Sequence, residues 1–295
     1  MKRILVIGGS GLIGYRLVNV LSDMFDLSYT YLTQSIGIRN LKNFSLDVTD
    51  VAKTNEIIEN ANPDIVIHTA AVKSVDACEK DKAFAHKVLV EGTRNVVEAC
   101  KKINANIVYI STAFVFGNGK EKYTEEDTPN PINYYGKCKL DGEISIQNSS
   151  LDYLIVRTDQ AYGWCLPLQK KNFVVTTLEK TRNNEVAEVC SDWYNNPTFV
   201  DDLTEAIKTL LLKNSTGVYH AVGDSYVNRY QWALEIAKVF DFDKNLIKGI
   251  NSGTLNLPAK RPNCNIDNSK IKSDLGIKLS TIEEGLETMK KQKEL

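Results

Sequence analysis

From the N-terminus to Thr112 the chain alternates short apolar runs with longer stretches of helical period: "RILVIG", "LIGYRLVNVLSDMF", "LSYTYL", "VAKTNEIIENA", "DIVIHTAA", "AFAHKVLVEGTRNVVEACKK" and "NIVYIST". The short runs are apolar at almost every position, which suits strands covered on both faces. Strands of that kind, each followed by a helix, run parallel, and right-handed crossovers place the helices on both sides of a single sheet. The expected fold class is α/β, a doubly wound parallel sheet.

After "DYLIVRT" at 152–158 the rhythm loosens into "DQAYGWCLPLQKKNF", where Gly163, Trp164 and Pro167 mark an excursion away from the sheet. "GVYHAVG" at 217–223 again resembles a strand, and the tail mixes helical stretches such as "RYQWALEIAKVF" with loops. The expected division is a sheet domain over 1–160, with returning segments at about 198–222, and a smaller discontinuous C-terminal lobe over 161–197 and 223–295. The three tryptophans, 164, 193 and 232, read as core or interface residues.

At 295 residues and 43% hydrophobic composition the chain can bury a core for one large domain or somewhat more. A net charge of -1 gives no reason to expect a nucleic-acid partner. The longest apolar runs, such as "NIVYISTAFVF", fall well short of the roughly 20 residues of a membrane-spanning helix, and the opening residues lead directly into "KRILVIGGSG". Neither a signal peptide nor a membrane partner is expected. Cysteines at 78, 100, 138, 165, 190 and 264 form no Cys-x-x-Cys pair, which suggests reduced thiols and a cytoplasmic location. Histidines 68, 86 and 220 have no ligand spacing to one another or to the cysteines, so no metal is expected.

"VIGGSGLIG" sets Gly8, Gly11 and Gly14 in a G-x-x-G-x-x-G pattern after the first strand and at the entrance to the first helix. A tight turn there lets the backbone approach a pyrophosphate, stabilised by free N–H groups and the positive end of the helix dipole. In this context the pattern reads as a Rossmann dinucleotide site, held by Gly8, Ser10, Gly11, Leu12, Ile13 and Gly14. NAD would call for an acid at the end of the second strand, but "YTYLTQSIGIRN" offers Thr33, Gln34, Ser35 and Arg39. These suit a 2′-phosphate better, so NADPH is the expected cofactor, with NADH left open. Arg39 is either the clamp on that phosphate or a solvated loop residue.

Of the chain's 13 tyrosines, only Tyr135 has a lysine four residues on, and side chains four apart share a helix face. The Lys139 ammonium should favour the phenolate and bring the tyrosine, ordinarily near 10, toward neutral pH. In "IVYISTAFVFG", Ser111 and Thr112 end an apolar strand and can hold a carbonyl oxygen, or else bond the backbone.

Taken in order, "GGSGLIG", "LDVTD", "PDIVIHTAA", "YISTAFVFG" and "YYGKCK" resemble the extended short-chain dehydrogenase/reductase family. The later "VRTDQAYG", "KNFVVTTLEK", "NNPTFVDDL", "GVYHAVG" and "AKRPNCNIDNSKI" resemble its dTDP-4-dehydrorhamnose reductase branch. The resemblance covers essentially the whole chain. It implies NADPH-dependent reduction of the C4 ketone of a nucleotide sugar, in making dTDP-L-rhamnose, with Tyr135 as proton donor. Lys139 would be the ribose-binding cation and Thr112 the hydroxyl of the triad. Asp47 and Val48 would lie beside the adenine, Ala70 and Ala71 along the cofactor ribose, and Arg261 near the sugar nucleotide. Asp47 can alternatively cap the helix that follows it. Lys73 lies where the family approaches its substrate, or in a solvated loop.

Several positions depart from the family's pattern. Ala113 and Phe114 stand where "STDYVF" has Asp and Tyr, and Gln160 where "RTSWVYG" has Trp, so Phe114 and Gln160 are expected to alter the sugar pocket. Leu89 replaces an asparagine, which could remove a water relay behind the lysine. Arg16 replaces a glutamate that some members use for a metal at their dimer interface, so no magnesium is implied there, while a homodimer stays open. Two alternatives remain: an NAD-dependent sugar-nucleotide epimerase or dehydratase, and a non-catalytic subunit resembling that of methionine adenosyltransferase.

Overall fold

The computed structural model describes residues 1–38, 41–72 and 74–292 of the chain. Strands β1 (Arg3–Ile7), β2 (Asp26–Tyr31), β3 (Lys42–Ser45), β4 (Ile65–His68), β5 (Asn106–Thr112) and β6 (Tyr153–Thr158) lie in one sheet. The chain then makes four short strands, β7 (Ala161–Tyr162), β8 (Ala187–Cys190), β9 (Tyr194–Asn195) and β10 (Thr198–Phe199), and rejoins the sheet as β11 (Gly217–His220). The order is β3-β2-β1-β4-β5-β6-β11, all neighbours parallel. This is the doubly wound Rossmann arrangement expected from the alternation. Strand order reverses at β1 and β4, and a crevice opens there at the carboxyl ends.

Because side chains alternate along a strand, the sheet feeds two cores. Ile4, Val6, Ile65, Ile67, Val108 and Ile110 face one, with Leu17, Val18 and Leu21 of α1 (Leu12–Leu21). Leu5, Ile7, Val66, Ile107 and Tyr109 face the other, with Ile57 and Ile58 of α2 (Val51–Ala61). Helices α3 (Val75–Lys80) and α4 (Lys82–His86) lead through a π-helical turn at Lys87–Glu91 into α5 (Gly92–Ile103), whose Val96, Val97 and Cys100 join the second core. Ile146 of α6 (Tyr134–Gln147) packs into the same core.

The remaining helices are α7 (Phe173–Arg182), α8 (Val200–Leu212), α9 (Arg229–Val239), α10 (Ser269–Leu275) and α11 (Ile282–Lys291). Leu203, Ile207 and Leu210 of α8 complete the first core beside α1. Val174 and Leu178 of α7, Trp232 and Ile236 of α9, and Leu286 and Met289 of α11 form a separate core with Tyr162 and Trp164. Three small ribbons brace this region: β7 with β10, β9 with β12 (Val227–Asn228), and β8 with β13 (Ile247–Ile250).

One segment differs from the division expected above, which puts all of 223–295 in the smaller lobe. Ile271 and Leu275, four residues apart on one face of α10, pack into the first core of the sheet against α8 and β11, and Leu279 joins them from the loop beyond the helix. Among the described residues no helix is long and apolar enough to cross a membrane.

Candidate active site

The glycine loop leaves β1 with Gly8 at φ +83°, a conformation that favours glycine. A Cβ on Gly8 would stand 2.8 Å from Thr69 Oγ1 and 2.9 Å from Ala70 N, and one on Gly14 would overlap the carbonyl oxygen of Gly8. The turn is tied to β2 by the Gly9 N–H, which donates to Thr30 O at 2.8 Å, and to β4 by Thr69 Oγ1, which donates to Ile7 O at 2.8 Å. Gly11 caps α1 with extended backbone and no side-chain acceptor, so the first N–H groups of α1, from Leu12, Ile13 and Gly14, have no side-chain cap. An anion approaching between the ends of β1 and β4 meets those donors and the helix dipole. The residues present therefore fit a pyrophosphate: the cradle is one that a Cβ would fill, and the helix start lacks an internal partner.

Other expected cofactor contacts surround this loop. Ala70 and Ala71 follow β4, the first partly buried and the second exposed. Val48 is buried beneath Gly92, and Asn95 Nδ2 donates to its carbonyl at 2.9 Å. Asp47 is exposed and accepts from Thr49 N at 2.9 Å; the cap of α2 is Asp50, which accepts from Lys53 N at 3.0 Å. Capping thus leaves Asp47 out. Arg39 and Lys73 lie outside the described residues. Two contacts escaped the sequence reading. Gln169 Nε2 donates to Ser10 O at 3.0 Å, and Arg16, ion-paired with Asp201 at 3.4 Å, donates to Trp164 O at 3.3 Å, fastening the excursion after β6 to the glycine loop.

Helix α6 can lie close on β5 because two of its residues lack side chains. A Cβ on Gly136 would overlap Phe114 O, and one on Gly142 would stand 2.5 Å from Tyr109 Oη. Its start is capped by Asn133, whose Oδ1 accepts from Gly136 N at 2.8 Å. Tyr135, Lys139 and Glu143, at four-residue spacing, thereby share the face turned to the end of β5. Tyr135 sits edge-on to Phe114, ring centroids 6.3 Å apart, with Thr112 close to its phenol. Lys139, 2% exposed, donates from Nζ to Ile110 O at 2.7 Å and lies 3.8 Å from the Tyr109 ring centroid.

The electrostatics correct one expectation. Burial pushes the Tyr135 phenol above its ordinary value, against the influence of the nearby Thr112 hydroxyl, instead of Lys139 drawing it down. Burial also brings Lys139 down to about 7, with the Glu143 carboxylate opposing. The tyrosine is therefore protonated at neutral pH and the lysine is poised near it. Ser111 does not share the role of Thr112: its hydroxyl donates to Glu143 Oε1, away from the crevice. Thr112 Oγ1 accepts from Phe114 N at 3.2 Å.

On the side of the smaller lobe, Arg261 donates from Nη2 to Asp76 Oδ2 at 2.6 Å and from Nη1 to Ala259 O at 2.8 Å. Ala259 N also donates to Asp76 Oδ1, at 3.2 Å. Against the penalty of burial, these donors hold the Asp76 carboxyl below its usual range. Arg261 borders a cleft of about 410 Å³ whose lining includes Asn118, Ile132, Trp193 and Lys260. Gln160, at φ +42°, accepts through Oε1 from Arg229 Nη2. Arg229 is itself sandwiched 4.4 Å from the Phe173 centroid and 4.5 Å from that of Trp193. Asp159, buried next to Gln160, is pushed up to about 7 by burial despite the Asn196 N–H at 2.9 Å.

The sequence model of the RmlD substrate binding domain matches residues 1–294. The chain belongs to this RmlD family. It is 29% identical over 304 residues to the dTDP-4-dehydrorhamnose reductase of Aggregatibacter actinomycetemcomitans, covering 98% of this chain and 99% of that one. It is 27% identical over 285 residues to the methionine adenosyltransferase 2 subunit beta of Mus musculus, covering 94% and 83%. The crystal structure of dTDP-4-dehydrorhamnose reductase from Bacillus anthracis in complex with NADP superposes with a TM-score of 0.87 at 28% identity, covering 98% of each chain.

The positions expected above to depart from the family's pattern have distinct surroundings. Leu89 is 1% exposed among Cys78, Ala85, Val90 and Cys138, an apolar cluster against which Tyr135 also packs. Ala113 and Phe114 are buried in the turn under α6, where Phe114 meets the Tyr135 ring. At Gln160 the side chain is engaged by Arg229.

Proposed function

We propose that this chain is an NADPH-dependent reductase of the C4 ketone of a dTDP-4-dehydro-6-deoxy sugar, of the dTDP-4-dehydrorhamnose kind. The observation that supports the reading is that Tyr135 and Lys139, on one face of α6, lie against the end of β5, at the same carboxyl edge of the sheet as the glycine loop. Gly8, Ser10, Gly11, Leu12, Ile13 and Gly14 would hold the cofactor's phosphates, with Val48, Ala70 and Lys139 along its adenosine and ribose. When bound, NADPH supplies the hydride. Tyr135, kept protonated by burial, gives its proton to the carbonyl oxygen as negative charge develops there. The Lys139 ammonium then stabilises the phenolate left behind, and Thr112 orients the oxygen by its hydroxyl. The ketone becomes an alcohol, and Tyr135 regains a proton from solvent.

The test follows NADPH absorbance while the protein meets dTDP-4-dehydrorhamnose, with Tyr135→Phe alongside. Consumption by the parent, lost by about 100-fold or more in the variant with NADPH binding retained, supports the assignment. Full activity in Tyr135→Phe overturns it. The likeness to methionine adenosyltransferase 2 subunit beta, together with Leu89 in its apolar cluster, favours a second reading as a non-catalytic subunit. No consumption of NADPH, with stoichiometric capture of a methionine adenosyltransferase, would select it.

A further inference from the structure

Three consecutive residues at the end of β5 meet three residues of α6 spaced one turn apart. Thr112 lies near Tyr135, Ile110 O accepts from Lys139 Nζ at 2.7 Å, and Ser111 Oγ donates to Glu143 Oε1. Glu143, 1% exposed, is gripped from the other side by Arg157 of β6. Arg157 Nε donates to the two carboxylate oxygens at 3.1 and 3.2 Å, and Nη2 to Oε2 at 2.7 Å. Arg157 is the sheet neighbour of Ser111, so one carboxylate ties α6 to β5 and β6 in the layer directly beneath the triad.

The strap continues across the sheet. Arg157 Nη1 meets His220 Nε2 at 3.4 Å, and His220 Nδ1 meets Asp267 O at 3.1 Å. Since an arginine only donates, Nε2 accepts and Nδ1 carries the proton, which leaves His220 neutral. Burial brings His220 down to about 3, in keeping with that assignment.

We propose that Glu143 is a positioning residue: held by Arg157 and Ser111, it keeps Lys139 charged and in register with Thr112 and Tyr135. Among the described residues, the groups facing Lys139 include no other carboxylate. From β5 it meets the Tyr109 ring, from β4 it faces His68, and Glu143 lies one turn further along α6, with Arg157 of β6 behind Glu143. His68 is neutral, pushed down to about 3 by burial, and adds no negative charge. Beside the Ile110 carbonyl and the Tyr109 ring, Glu143 supplies the negative charge that offsets the cost of burying the ammonium. With the carboxylate gone, Arg157 remains and repels it. This role rests on the reductase reading only for what it means to turnover; the charge state of Lys139 can be read without substrate.

The experiment is an NMR titration of Lys139 in protein labelled at lysine Cε, comparing the parent with Glu143→Gln. The glutamine keeps an acceptor for Ser111 and Arg157 but no charge. The Lys139 midpoint should fall by about one unit or more, and the alkaline limb of the kcat profile should move with it. An unchanged midpoint in folded Glu143→Gln overturns the proposal. Should that variant fail to fold, Glu143→Met combined with Arg157→Met removes both charges while keeping the volume filled. A lower midpoint supports the proposal and an equal or higher one overturns it. Absence of NADPH consumption by the parent would sink the reductase reading while leaving the titration result intact.

Discussion

Exchanging Lys139 for methionine replaces a buried ammonium by an apolar chain of similar length, and the structure gives the expected gain a magnitude and a pH dependence. Folding takes the lysine from its ordinary 10.5 to about 7. Between those values the unfolded chain holds a proton that the folded chain has released, so the penalty is full below pH 7 and disappears as pH rises toward 10.5. At about 1.4 kcal/mol per unit, the penalty comes to about 4 kcal/mol at pH 7 and about 1 kcal/mol at pH 9.5. Methionine also leaves Ile110 O without its Nζ donor, a loss of about 1 kcal/mol. Lys139→Met should therefore be more stable than the parent by about 3 kcal/mol at pH 7, or about 6 °C in Tm for a chain of this size, and roughly equal to it at pH 9.5. Thermal melts of both proteins at the two pH values measure this directly. A gap that stays constant between pH 7 and 9.5 would show that the lysine is not held by desolvation, and the argument for its poised charge would fail. The same variant should lose reductase turnover, so that stability and activity move in opposite directions.

Two further outcomes test the crevice. Gly14→Ala places a methyl group against the Gly8 carbonyl, an overpacking of about 1–3 kcal/mol, and should weaken NADPH binding about ten-fold or more in a fluorescence titration. Gly11→Ala, whose Cβ would sit 3.4 Å from the same oxygen, should leave folding much as in the parent yet weaken NADPH binding by crowding the pyrophosphate; parental binding in Gly11→Ala would argue against a loop shaped for a pyrophosphate. Asp76→Asn removes the charge that holds Arg261, leaving the guanidinium freer for an anionic substrate, so KM should fall a few-fold, roughly, with kcat little changed. A raised KM would mean that Asp76 presents Arg261 to the substrate instead of competing with it.

Much of this molecule is legible in consecutive residues. The apolar runs of β1, β2 and β4 to β6, the glycine turn after Ile7 and the four-residue spacing of Tyr135 and Lys139 all follow from sterics, backbone freedom and period within a few positions, whereas β3, the polar Lys42–Ser45, carries no such pattern. Neighbouring candidates were harder to separate. Asp47 was open as a helix cap, a place that Asp50 takes, and Ser111 and Thr112 both suit a carbonyl; which residue serves depended on where the backbone turned and what lay opposite. The "LDGE" after Lys139 carries Glu143 at the same four-residue step, yet its partners Ser111 and Arg157 stand 32 and 14 residues away. Arg261 and Asp76 are separated by 185 residues, and α10 returns to a core begun at β1. Local pattern sets which residues can share a face, because dihedral preferences act over one or two turns. Which charge is buried, beside which partner and with its proton held or released, depends on the dielectric and hydrogen-bonding surroundings that distant segments create only once they have packed.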